Sequence, residues 1–395
     1  MGTFRLRRLP ALLFGLAAAG LLAGCSPVPP ATPPPQGEAT RAPAVQTDAE
    51  TGKSSVEVTV LTYNVAGLPW PAAADSGRRL RRIGDYLGEL RREGREPDIV
   101  LIQEGFVGEM AALIERSGYP NFVHGPLATD RSEPLASPQA RDYELAAYPV
   151  RGEGLGKWLH SGLYILSNFP IAEVRRRPFA HCAGIDCLAN KGALLARVRI
   201  PGVPAPVDVL NTHLNAREAA RVPFERSLRA HNLQVEELLR FLGEARDPRS
   251  PLLFGGDFNV RQSPERARPI LDPGNGLTIV RYYCARIAPG CDARIPMASE
   301  RPWLHTQDLL GFSEGHSAIR IRPTRLDALF SRPENGGSLS DHDGYLVRYR
   351  LAWEASAPAR SKAAAQSSSR ERTRSTRHGS KGSRSRIPLG SLSRS

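Results

Sequence analysis

The 395-residue sequence has no C-x-x-C spacing among its five cysteines, no internal repeat of fixed period, and no apolar run long enough to span a bilayer stably. The first absence removes the usual signature of a structural zinc site, the second a repeat array, the third a multi-span membrane chain. What is there is ordinary for a soluble globular protein, with 41% hydrophobic and 24% charged residues. That balance excludes a fully disordered or collagen-like chain. The length suits a large α/β domain with appendages.

A formal net charge of +13 suggests a nucleic-acid or membrane footprint until it is located along the chain. Residues 355–395 hold ten Lys and Arg against one Glu, and Arg5, Arg7 and Arg8 add three charges at the start. The remainder is close to neutral, so the basicity describes the ends and not the middle.

Residues 1–25 read as a signal segment: three arginines, an apolar run from Ala11 to Ala23, then small residues. Leu22-Ala23-Gly24-Cys25 resembles the lipobox of bacterial lipoproteins. That resemblance implies acylation of Cys25 and a place in the bacterial cell envelope, at the outer membrane or cell surface. Each buried acyl methylene contributes about 0.8 kcal/mol to such an anchor. Residues 26–54, with "PVPPATPPPQ", read as a Pro/Ala-rich linker, residues 55–354 as the folded domain, and residues 355–395 as a disordered basic Ser/Arg-rich tail. Anionic lipid, nucleic acid or no partner at all are equally open for that tail.

Four cysteines fall in two close pairs, Cys182 with Cys187 and Cys284 with Cys291, in a chain that reads as exported. Two local disulfides are expected, with a zinc site as the rival reading.

The middle alternates short β-rich runs with helical patterns. Strands are expected at "VEVTVLTYNV", "DIVLIQE", "SGLYILSN", "ALLARVRI", "PVDVLNTHL", "LLFGGDFNV", "RLDALFS" and "GYLVRYRLAW". Helices are expected over Arg78–Arg92, Val107–Arg116 and Ala219–Leu242. Several strands follow one another without a helix between them. This favours an α/β fold of two mixed, mostly antiparallel sheets with helices outside. Asn64, Glu104, His213, Asp257 and Asn259 all sit where such an apolar run ends and side chains leave the core.

"LTYNV", "LIQE", "NTHLN", "GGDFNV" and "SDHDGY", in that order, resemble the motifs of the endonuclease/exonuclease/phosphatase superfamily. The resemblance covers Val56 to Trp353 and implies the DNase I-like four-layered sandwich. "YNVAGLPW", "SGLYILSNFPI" and "NKGAL" are most similar to bacterial sphingomyelinase C-like phosphodiesterases, and "TQDLLGFSEG" resembles, less closely, the Asp-aromatic-Gly segment of that branch.

Phosphodiester hydrolysis requires charge neutralisation at phosphate oxygens, which a hard divalent cation on oxygen ligands supplies. The resemblance implies Mg²⁺, with Mn²⁺ as the alternative, at Glu104 and Asn64, with Asp341 as a further metal or supporting residue. His342 fits the base that activates water, since an imidazole held by a carboxylate suits that task. By resemblance Asp327, in "RLDALF", orients it, Asp257 and Asn259 position the nucleophile and a phosphate oxygen, and His213 contacts the phosphate or protonates the leaving group. Lys191 in "LANKGALL" and Asn215 are implied phosphate contacts. In animal neutral sphingomyelinases an acidic residue accompanies that lysine. Asn190 precedes it here, which puts the associated regulation in question.

The expected activity is therefore metal-dependent hydrolysis of a phospholipid such as sphingomyelin by a monomer. Two other readings stand beside it: an exported nuclease of the same superfamily, and a non-catalytic surface-binding lipoprotein. The short polar "SRPENGGSLS" at residues 331–340 replaces the aromatic-tipped hairpin of some secreted sphingomyelinases. Trp70, Trp158 and Trp303 are left as candidates for interfacial contact or core.

Overall fold

The computed structural model describes residues 42–288, 291–297, 299–331 and 338–354. The signal segment with Cys25, most of the linker, most of residues 331–340 and the basic tail lie outside them.

The strands are β1 (Gln46–Thr47), β2 (Lys53–Gly67), β3 (Ile99–Gly105), β4 (Asn121–His124), β5 (Tyr164–Ser167), β6 (Ile171–Pro178) and β7 (Gly192–Val198). They continue with β8 (Val207–His213), β9 (Leu252–Asp257), β10 (Thr278–Ile279), β11 (Asp292–Ala293), β12 (Asp308–Ser313), β13 (Arg320–Leu329) and β14 (Gly344–Glu354). One sheet runs β11-β13-β14-β2-β3-β5-β4 with β1 on β2; the other runs β10-β12-β9-β8-β7-β6. Pairing is antiparallel except for β2 with β3, β8 with β9, and β11 with β13.

Strand alternation sorts the side chains into layers. On β2, Val56, Val58 and Val60 face the second sheet, where Leu194, Val209, Leu253 and Leu310 complete the central core. The intervening Leu61, Tyr63 and Val65 meet Leu80, Ile83 and Leu87 of the helix Ser76–Arg92 and Leu113 of the helix Met110–Ser117. On the opposite side Leu210 and Phe254 pack against Val235, Leu238 and Phe241 of the helix Phe224–Ala245. The result is the expected four layers, and the DNase I-like architecture.

Several elements differ from expectation. The long helix begins at Phe224 and not at Ala219, because Arg221 is left-handed at φ 55° and Pro223 restricts the residue before it. Ordered structure begins ahead of residue 55, since Gln46–Thr47 pairs with Ser54–Ser55. "TQDLLGFSEG" contains strand β12, antiparallel to β9 along its whole length. Both cysteine pairs form disulfides, Cys182–Cys187 and Cys284–Cys291.

Candidate active site

The site forms where β2 and β3 leave one sheet and β8 and β9 leave the other. Register does most of the positioning. His213 ends β8 directly opposite Asp257 at the end of β9, and Asp308 begins β12 opposite the same Asp257. The paired glycines of "GGDFNV" make this approach possible. A Cβ on Gly256, which sits at φ 144°, would stand 1.9 Å from the Thr212 carbonyl oxygen, and one on Gly255 would stand 2.5 Å from the Leu310 side chain. Glu104 and Asn259 themselves occupy the left-handed region, at φ 58° and 52°, a conformation L-residues adopt at a cost and one that recurs at functional positions.

Asn64 ties the two sheets together. Its side-chain nitrogen donates to Glu104 Oε1 at 3.0 Å and to Asp257 Oδ2 at 3.1 Å, while its oxygen accepts from the Ala66 N–H at 3.0 Å. Its nitrogen thus bridges two carboxylates while its oxygen turns to the Ala66 N–H. Asp257 Oδ1 accepts from the Asn259 N–H at 2.9 Å, and the Asn259 side chain donates to the Leu214 carbonyl.

His342 Nδ1 lies 2.7 Å from Asp308 Oδ2, and its Nε2 lies 2.9 Å from the Gln307 amide nitrogen and 3.9 Å from Asp257 Oδ2. Asp308, not Asp327, is therefore the carboxylate behind this imidazole. Asp327 lies on β13 with both oxygens held by the Arg325 guanidinium at 2.7 and 3.1 Å. Asp257 and His213 end their strands, whereas Asp308 opens a strand that runs the other way. Asp308 is the aspartate of "TQDLLGFSEG", an acidic residue leading an apolar run, to which the resemblance alone assigns no role beside His342.

Lys191 is 5% exposed, and its ammonium contacts His213 Nε2 at 2.8 Å, the Leu214 carbonyl at 3.2 Å and Asp186 Oδ1 at 2.8 Å. Its three donors are committed inside the protein, so it holds His213 rather than meeting phosphate itself. An acidic partner is present after all: it is Asp186, on the turn closed by the Cys182–Cys187 disulfide. Asn215 is likewise structural. Its oxygen accepts from the Ala183 N–H, its nitrogen donates to the Ala216 carbonyl, and the residue is fully buried. Asp341 is exposed beside His342, on the cavity wall.

A cavity of about 450 Å³ collects Glu104, His213, Arg217, Asp257, Asn259 and His342. Gln307, Arg261, Asp341 and His342 separate it from a second cavity of about 350 Å³ that contains Arg281, His305, Asp343 and Tyr345. The electrostatics reflect buried like charge. Burial, then the neighbouring Asp308, pushes Asp257 up to about 7, and burial also raises Glu104 against the pull of Asn64 and Lys191. Burial disfavours a charged His342, but the Asp308 carboxylate outweighs it and holds the imidazolium up to about 10. Burial and the adjacent Lys191 ammonium keep His213 well below the usual histidine range, hence neutral.

These residues fit a hard divalent cation. Donor atoms of Glu104, His213 and Asp257 lie within 4.8 Å of one another, as do those of Asp257, Asp308 and His342. Asp308 Oδ1 is buried without a hydrogen-bond partner. Oxygen-rich, crowded and short of counter-charge, the cluster suits a magnesium-type ion better than zinc.

Residues 61–342 match the Endonuclease/Exonuclease/phosphatase family, and the chain belongs to it. Among curated relatives, a sphingomyelinase of Mycobacterium bovis is 26% identical over 225 residues, covering 57% of this chain and 38% of that protein. The chain thus matches well under half the length of that relative. Sphingomyelinase C of Listeria ivanovii is 32% identical over 101 residues, 25% of this chain and 29% of the relative. Among solved structures, a Staphylococcus aureus beta toxin variant with bound magnesium ions superposes with a TM-score of 0.50 at 15% identity, over 76% of this chain and all of the toxin. That likeness shows the shared fold.

Proposed function

We propose that the chain is a Mg²⁺-dependent phosphodiesterase that hydrolyses a phospholipid of the sphingomyelin class, releasing a phosphorylated headgroup. The observation that carries this reading is the convergence of Glu104, Asp257, Asn64 and the Asp308–His342 pair on one cavity. The sphingomyelinase relatives support the substrate class. We further propose export, and anchoring through acylated Cys25 at the bacterial cell envelope.

A cation held by Glu104 and Asp257 would neutralise phosphate charge as it builds in the transition state. Its positive charge would also oppose that of the nearby His342, favouring the neutral base form of the imidazole. Asp308 fixes the Nδ1–H tautomer, so Nε2 is the atom that takes a proton from water; the Gln307 amide now occupying that position gives way. The water oxygen forms the new bond to phosphorus in line with the leaving alkoxide, which departs as an alcohol on taking a proton from solvent water. His213, with Nε2 accepting from Lys191, carries its proton on Nδ1, which is buried without a hydrogen-bond partner, and stays neutral beside that ammonium.

A nuclease would track its polyanionic substrate along a basic groove. Arg175 and Arg177 are instead paired with Glu173 and Glu244, and Arg266 is fully buried, bonded to the Asn215 carbonyl. Assay of the purified chain with Mg²⁺ against sphingomyelin, phosphatidylcholine and plasmid DNA tests the reading. Sphingomyelin turnover abolished by EDTA is expected. DNA cleavage without lipid turnover would assign the chain to the nucleases, and no turnover at all would leave a binding protein.

A further inference from the structure

Large apolar side chains at the surface are concentrated in one segment. Between Leu145 and Trp158 the exposed fractions are 87% for Leu145, 41% for Tyr148, 92% for Val150, 53% for Leu155 and 51% for Trp158. Gly152, Gly154 and Gly156 are all left-handed, so the chain turns repeatedly and projects these side chains from loops. It offers a protein partner no strand edge.

This segment borders the catalytic cavity through a short relay of contacts. A Cβ on Gly152 would lie 3.0 Å from the Gly184 carbonyl oxygen, and the Trp158 N–H donates to the Leu188 carbonyl at 2.7 Å. Gly184 and Leu188 bound the turn that carries Asp186, the partner of Lys191. In the same turn the Ile185 N–H donates to the Ala220 carbonyl, in the loop whose Ala216–Ala219 stretch lines the cavity. Ile185 is itself 37% exposed, extending the apolar surface toward that rim. Arg151 and Arg221 are exposed here and Arg217 lines the cavity, cationic groups suited to lipid phosphates.

We propose that the Leu145–Trp158 segment, with Ile185, is a docking surface for a phospholipid bilayer, presenting the cavity to lipid headgroups. The inference rests on the reading of the chain as a phospholipid hydrolase. Aliphatic tips beside a Tyr and a Trp, with arginines at the border, match the apolar-to-polar gradient of a bilayer interface. An acyl anchor does not supply this orientation. The chain enters the fold where Gln46–Thr47 meets Ser54–Ser55, at the far end of β2 from Asn64, roughly 30 Å away at about 3.3 Å per residue. A tether there holds the protein near a membrane without aiming the cavity at it.

The test uses the full chain carrying Cys25→Ser, which removes the anchor, and vesicles of phosphatidylcholine, sphingomyelin and phosphatidylglycerol. Combined Val150→Asp and Leu155→Asp substitution is expected to lower vesicle co-flotation at least about tenfold. Hydrolysis of vesicle sphingomyelin should fall in parallel, while hydrolysis of detergent-dispersed sphingomyelin is kept. A blue shift of tryptophan emission on adding vesicles should be lost in Trp158→Phe. Unchanged flotation in the double variant overturns the proposal. So does a shift from dimer to monomer with flotation unchanged, which would make the occupant a second copy of the chain. If the chain floats, the double variant does not, and neither hydrolyses lipid, the docking surface stands and the functional reading falls.

Discussion

Asp308 and Asp327 each stand in a short acidic-apolar segment, and their surroundings separate their roles. Asp308 is buried against His342, whereas Asp327 is partly exposed and clamped by Arg325. Asp308→Asn should therefore lower kcat on the order of 10³–10⁴-fold, as expected when the carboxylate behind a catalytic imidazole is lost. Asp327→Asn should leave kcat within about twofold, in line with a substitution away from the chemistry. Steady-state assays of both variants check the assignment. His231 gives a second residue-level prediction. Burial, reinforced by Arg266, drives it down to about 3, with its Nε2 at 2.8 Å from the Phe258 carbonyl. Above pH 6.5 the imidazole is neutral folded and unfolded, so it adds no pH dependence. Between 6.5 and about 3 the unfolded chain takes up a proton that the folded chain refuses, and stability falls as pH drops. His231→Gln should flatten that decline in denaturant titrations; an unchanged slope would remove His231 from the account.

At the scale of elements, strands with long apolar runs were legible because alternation or continuous hydrophobicity marks which faces are covered. β2, β3, β8 and β9 carry that signal, and they bring Asn64, Glu104, His213 and Asp257 close together. What the sequence hid was set by pairing across strands. Asp308 becomes a site residue only because β12 runs antiparallel to β9 and places it opposite Asp257. Lys191 and Asn215 were read as phosphate contacts, yet their partners, Asp186 and the Ala183 N–H, come from a disulfide-closed turn whose position no spacing reveals. The glycine pair offers the element-level test. Gly256→Ala would place a methyl group against Thr212 at a φ that L-residues avoid. It should cost at least about 2 kcal/mol in chemical denaturation.

Across the whole molecule, two sheets bring four strand ends and one strand start to the same mouth, while the chain enters at the opposite end of β2. Burying Glu104, Asp257 and Asp308 close together is costly for folding unless a counter-charge is supplied, and burial raises both Glu104 and Asp257. Divalent cation should therefore stabilise the fold as well as support turnover, by mass action on the native state. Calorimetric titration of Mg²⁺ into the full chain tests this central claim most directly. The account predicts saturable binding that weakens at least about tenfold in Glu104→Gln, where a ligand charge is removed. Equal affinity in wild type and Glu104→Gln, or no binding by either, would contradict it.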